Sequence, residues 1–179
     1  MGIRSLLGKP FAKYIASQTR KWASKPRDSQ EKVFNKLVRK AADTAFGRDH
    51  NFSEIKSYED FKANVPIRDY EQLKPYVERM VAGEKDVLWP GKPIYLSKTS
   101  GTTSGVKYIP ITKDSIPNHF VSARNAVLEY VAETGKGDFL DGKLIFLSGS
   151  PELNKKNGIH VGRLSGIVNH HVPSYLRTN

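Results

Sequence analysis

The 179-residue chain has no cysteine. That excludes disulfides and thiolate metal sites, and it fits a reducing, cytoplasmic setting. No run of about 18 apolar residues occurs, so no integral membrane segment is expected. No internal repeat is present. Three functional signatures are also missing. Gly101 and Gly105 are four apart, Val106 separates the second glycine from Lys107, and Tyr108 stands where a Walker A loop needs Ser or Thr. Gly-x-Gly-x-x-Gly is absent, which removes the dinucleotide fingerprint. Gly162-Arg163-Leu164-Ser165-Gly166 and Ser148-Gly149-Ser150 both lack the glycine spacing of a serine-hydrolase elbow. His170 and His171 are neighbours that would point to opposite faces of a strand, so no metal site is expected.

Acidic residues are scarce in one place. Residues 1–27 carry seven basic side chains and no acid, while the remainder carries 22 basic and 18 acidic groups. The net charge of +11 is therefore mostly a property of the N-terminus. A nucleic-acid binder would more often spread a basic face with interleaved aromatics over its folded body, so no nucleic-acid partner is expected. Hydrophobic residues make up 38% and charged residues 26%, a balance that supports a core and argues against wholesale disorder.

What the chain does have is one unusual stretch, Ser97-Lys98-Thr99-Ser100-Gly101-Thr102-Thr103-Ser104-Gly105-Val106-Lys107. Pro93-Ile94-Tyr95-Leu96 and Tyr108-Ile109-Pro110-Ile111 flank it as extended apolar segments. Glycines let a backbone turn its N–H groups toward one point, hydroxyls add donors, and a lysine supplies charge. The composition suits a polyphosphate; the plainer reading is a polar hairpin turn.

The surroundings read as follows. Ile3, Leu7, Phe11, Tyr14, Ile15, Gln18 and Trp22 mark one face of a helix interrupted by Pro10. The preferred reading is a helix packed on the body; a membrane-surface helix and a transit peptide are the alternatives. A break at Pro26–Ser29 leads to a helix capped by Asp28 or Ser29 and ended by Phe46-Gly47. Ser57 and Asp69 cap two further helices, the second kinked or split at Pro75 and closed by Gly83. Val87–Pro90 is expected to be extended. Thr112 or Asp114 opens a helix to Glu133 with Phe120, Ala123, Val127, Leu128 and Val131 buried. Leu144–Leu147 reads as a buried strand, residues 152–158 as a surface loop, and Leu164–Ile167 as a strand and turn.

Thr99-Ser100-Gly101-Thr102-Thr103-Ser104-Gly105-Val106-Lys107 resembles the Ser/Thr/Gly-rich phosphate loop of the acyl-adenylate-forming superfamily. Phe46-Gly47, Phe61 with Val65-Pro66-Ile67 and Tyr70-Glu71, Gly83-Glu84, Val87–Pro90, Tyr108-Ile109-Pro110, and Gly162 with Leu164–Ile167 follow in an order similar to that of the auxin-responsive acyl-acid amido synthetases, particularly bacterial members. The likeness runs from about Gln30 to about Pro173 and covers nearly the whole chain.

The resemblance implies an α/β fold, here the N-terminal part of the large acyl-adenylating domain, with its sheet incomplete. Residues 1–29 would be a basic amphipathic segment and 30–179 a partial ATP-binding domain. It implies an ATP-dependent ligase: a small carboxylic acid is activated as its acyl-adenylate, then passed to an amino acid or other amine. Thr99, Ser100, Gly101, Thr102, Thr103, Ser104 and Gly105 would cradle the phosphates of ATP, with Mg²⁺ accompanying it. Lys107 would be the catalytic cation. Arg124, a solvated helix arginine on the plainer reading, would lie near the acyl carboxylate, and Leu164, Ser165 and Gly166 would line the acyl pocket. The family's later motifs lie outside these residues, so the piece is expected to be inactive alone. Acyl transfer to coenzyme A and a basic membrane-surface or nucleic-acid module are the alternatives.

Overall fold

A computed structural model describes residues 2–99, 105–142 and 149–172. In chain order these form α1 (Ile3–Ala23), α2 (Pro26–Ala41), α3 (Ala45–Asp49), α4 (Tyr58–Asn64), α5 (Tyr70–Val81), β1 (Tyr95–Thr99), β2 (Lys107–Ile111), α6 (Ile116–Thr134), a 3₁₀ turn at Asp138–Asp141, β3 (Asn154–Lys156), β4 (Ile159–Arg163) and α7 (Leu164–His170). The fold is mixed α/β, with the helical N-terminal region preceding a strand–loop–strand and a long helix as the sequence implies.

The sheet runs β2-β1-β4-β3. β1 and β2 are antiparallel, β1 and β4 parallel, β3 and β4 antiparallel. One face is covered by α5: Val77 and Val81 pack on Leu96, Ile159 and Val161, with Tyr70, Leu88 and Tyr108 at the margin. A second apolar cluster, Val38, Ala41, Phe52 and Ile55, is surrounded by Phe34, Phe46, Phe61 and Trp89 and holds the helical region together. Ala45, Met80 and Val87 join the two.

Capping legible in sequence is realised in space. The Ser57 hydroxyl accepts from the Asp60 N–H, and the Asp60 carboxylate accepts from the Ser57 N–H. Asp69 and Gln72 repeat the arrangement at α5. Each pair satisfies two otherwise unmatched backbone donors. The backbone hydrogen bonds to Asp60 hold its carboxyl below the usual range, helped by the Ser57 hydroxyl.

Several expectations are corrected. α1 does pack on the body, but through Ser5, Ala12 and Ala16 with Ile15 beside them, while Ile3, Leu6, Leu7, Phe11, Tyr14 and Trp22 face outward. Small residues let α1 approach α6 closely, so Leu128 and Val131 meet Ala12. Pro10 does not interrupt α1, and Pro75 does not split α5. α2 begins at Pro26, not at Asp28 or Ser29, because proline fits the first helical position, where no N–H is needed. Gly47 lies inside α3: a Cβ there would run into the Ala41 carbonyl. Val87–Pro90 is curled, since Asp86 takes φ +56° and its carboxylate accepts from the Gly91 N–H at 2.6 Å. On α6 only Leu128 and Val131 of the expected stripe are buried. Residues 154–163 form a hairpin turning at Asn157-Gly158 (φ +49° and +81°). Leu164–His170 is helical, so His170 and His171 do not lie on a strand. The expected strand Leu144–Leu147 lies outside the described residues.

Candidate phosphate-binding edge

β1 and β2 bring the two ends of the Ser/Thr/Gly loop together, with Thr99 directly opposite Lys107. Ser100, Gly101, Thr102, Thr103 and Ser104 lie outside the described residues. Gly105 has φ +80° and open space around its Cβ position, a left-handed turn that glycine adopts without strain.

Parallel pairing then decides what else lies at this edge. β1 and β4 run side by side with Lys98 opposite Arg163, so Thr99 and Leu164 both leave the sheet at its carboxyl end. Ligands of α/β sheets bind at such ends. Leu164, Ser165 and Gly166 open α7 there. The Ser165 hydroxyl accepts from the Gly149 N–H at 3.0 Å. Gly166 is buried, and a Cβ on it would strike the Ser150 carbonyl. Segment 149–151 is thus pressed onto α7, and the His170 Nε2 lies 2.6 Å from the Pro151 carbonyl.

Lys107 is positioned by Tyr70. Its Nζ lies 5.1 Å from the centroid of the Tyr70 ring. The same phenol oxygen accepts from the Tyr108 N–H at 2.8 Å. Tyr70 therefore closes the open edge of β2 and seats the lysine beside it. Lys156 sits 5.1 Å over the Tyr108 ring. Lys98, Lys107 and Arg163 together make the edge cationic, and no ion pair neutralises them among the described residues. Sequence reasoning missed Arg163. Its signal was positional, a cation at the end of a strand that sequence did not reveal.

Among the described residues, no hydrogen bond or ion pair brings Arg124 to this edge. It lies exposed on α6, its guanidinium 5.8 Å above Phe11 and bonded to the Asn125 side chain at 3.0 and 3.2 Å. On the sheet face opposite α5, Tyr95 donates to or accepts from His171 Nε2 at 2.8 Å and stacks near His160, with Phe120 close to His171. Among the described residues no group of three or more His, Asp or Glu side chains is placed to hold a metal.

Comparison with known proteins places this architecture. Residues 15–177 match the model of the GH3 family N-terminal domain. An indole-3-acetic acid-amido synthetase, GH3.15 of Arabidopsis thaliana, is 32% identical over 136 residues, covering 74% of this chain and 22% of that protein. The jasmonoyl–L-amino acid synthetase JAR4 of Nicotiana attenuata is 25% identical over 136 residues, covering 74% and 23%. The solved structure of the Arabidopsis GH3.15 acyl acid amido synthetase with 2,4-DB superposes with a TM-score of 0.64 at 22% identity, over 79% of this chain and 25% of that one. A second GH3.15 structure gives 0.68 at 22% identity, over 78% and 25%. The chain thus spans about a quarter of the length of these relatives. With the family's N-terminal domain model matched over nearly all of its residues, the chain belongs to the GH3 family.

Proposed function

We propose that this chain forms the phosphate-gripping part of an ATP-dependent acyl-acid amido synthetase. The observation that carries the reading is the cationic sheet edge, where Thr99 and Lys107 close one loop and Arg163 and Leu164 begin the next segment. The donor set suits a polyanion: two lysines, one arginine and a loop of hydroxyls and glycines. Such groups stabilise negative charge as it moves toward a leaving pyrophosphate, which is most of what a protein contributes to phosphoryl and nucleotidyl transfer.

In this reading ATP and a small carboxylic acid are substrates. The carboxylate oxygen attacks the α-phosphorus and pyrophosphate leaves. The amine of an amino acid then attacks the activated carbonyl, forming the amide and releasing AMP. Lys107, seated on Tyr70, holds the phosphates as charge builds on them. Thr99, Ser100, Thr102, Thr103 and Ser104 offer hydroxyls, and Gly101 and Gly105 allow close backbone approach. Mg²⁺ would accompany ATP and offset phosphate charge. Leu164, Ser165 and Gly166 are proposed to wall the acyl site from the same edge. For Arg124 to hold the acyl carboxylate it would have to leave Phe11.

The test is ATP–pyrophosphate exchange on the intact protein with a panel of carboxylic acids, followed by amide formation with amino acids. Lys107→Ala should cut exchange by a factor on the order of 10² to 10³. Unchanged exchange in that variant removes the role given to the lysine. Product formed with coenzyme A but with no amine would reassign the second step.

A further inference from the structure

The outward face of α1 carries a row of large apolar side chains. Ile3, Leu6, Leu7, Phe11, Tyr14 and Trp22 are 76%, 63%, 64%, 45%, 59% and 58% exposed. Apart from Leu6, they recur at helical spacing on the side away from Ser5, Ala12 and Ala16, which fill the contact with the body. The helix cannot roll to hide them, because its ends are fixed. The Asp141 carboxylate accepts from the N–H groups of Gly2 and Ser5 at 2.6 and 3.2 Å, and Arg20 pairs with Glu133. Single exposed apolar residues are ordinary, but an aligned row of large ones marks an interaction surface.

We propose that α1 docks this protein on the surface of an anionic lipid bilayer, lying in the plane of the headgroups. The charge on the helix selects that occupant. Arg4, Lys13 and Lys21 are exposed around the apolar row, and residues 1–27 contain no acid. A second copy would bring two such cationic segments together, which their charges oppose. A nucleic-acid backbone gives Ile3, Leu6 and Leu7 nothing to bury against. Tyr14 and Trp22 combine an apolar body with a polar tip, as residues at a headgroup boundary do. Ile3, Leu6, Leu7, Phe11 and Tyr14 precede the residues that match the family domain, and Trp22 lies within them. No helix among the described residues is long and apolar enough to cross a membrane, and in-plane binding needs none. The inference stands apart from the ligase reading.

The test is co-sedimentation of the full chain with phosphatidylcholine vesicles, with and without phosphatidylserine, alongside Trp22 emission. Binding should require phosphatidylserine, weaken steeply with salt, and shift the emission to the blue; the shift should vanish in Trp22→Phe. Leu7→Glu should abolish binding. Lys13→Gln and Lys21→Gln should each weaken it about fivefold, from about 1 kcal/mol per cation near an anionic surface. These positions are exposed, so circular dichroism and thermal midpoint should stay unchanged. No vesicle binding, equal binding to pure phosphatidylcholine, or binding indifferent to Leu7→Glu overturns the proposal. So does Leu7-dependent dimerisation without lipid, or displacement from vesicles by RNA at equal charge.

Discussion

Tyr70 carries Lys107 on its ring and closes the edge of β2 with its hydroxyl, so one side chain sets both the strand and the cation beside it. The two roles separate by substitution. Tyr70→Phe keeps the ring and leaves the Tyr108 N–H unpartnered, costing about 1 kcal/mol in urea unfolding. Tyr70→Leu also removes the ring and a further 0.5–1 kcal/mol or so. Pyrophosphate exchange should fall more in the leucine variant than in the phenylalanine variant. Equal losses of exchange would mean that the ring does not position Lys107.

Arg163 faces the same edge from β4, opposite Lys98. Arg163→Gln should weaken binding of inorganic tripolyphosphate about tenfold, as expected for one lost charge-assisted hydrogen bond. Lys36→Gln, in the shallow basic groove along α2, should leave that binding unchanged. Isothermal titration at two salt concentrations separates them. If both substitutions act alike, binding reflects net charge and not a built edge.

Local chemistry made much of this legible. The caps at Ser57 and Asp69 need only four consecutive residues, and the strand–loop–strand is written in the apolar segments flanking the loop. What stayed hidden depends on distant chain. Which face α1 buries is decided by α6, and the small residues it uses give no hydrophobic signal. β3 is Asn-Lys-Lys, fully exposed at a sheet edge, so no alternation betrays it. The Asn157-Gly158 turn was the available cue.

Gly47 shows the same limit and yields a test. It reads as a helix end, but it is buried, and a Cβ there would run into the Ala41 carbonyl. Gly47→Ala should cost about 2–4 kcal/mol, as overpacking and strain do in a core. Gly135→Ala, at φ +69° in open space, should cost only about 1–2 kcal/mol. Thermal or urea unfolding ranks them, and a milder effect at Gly47 would show that the backbone there gives way.

Asp114 ties the start of α6 to the helical region. Its carboxylate meets Lys40 Nζ at 2.5 Å and accepts from Trp89 Nε1 at 2.9 Å. The Lys40 ammonium, then the indole N–H, hold this carboxyl below its usual range. A depressed folded value means the contribution is present above the unfolded value, about 4, and is lost as pH falls through the folded one. Asp114→Asn should therefore lower the thermal midpoint at neutral pH, and the gap from the parent should narrow in acid. A gap independent of pH would assign the loss to packing around Trp89.

His50 is buried beside Phe46, with ring centroids 4.2 Å apart, and its Nε2 has no hydrogen-bond partner among the described residues. A buried polar atom without a partner costs free energy that an apolar ring of similar shape does not. His50→Phe should stabilise the chain by about 1 kcal/mol in urea, because the ring keeps its edge contact with Phe46 and sheds the unmatched nitrogen. His50→Asn should destabilise it, since the amide loses the ring contact and brings more unmatched polar atoms into the same space. If phenylalanine destabilises instead, the nitrogen is bonded to an internal water, and the imidazole is then a fixed part of this core.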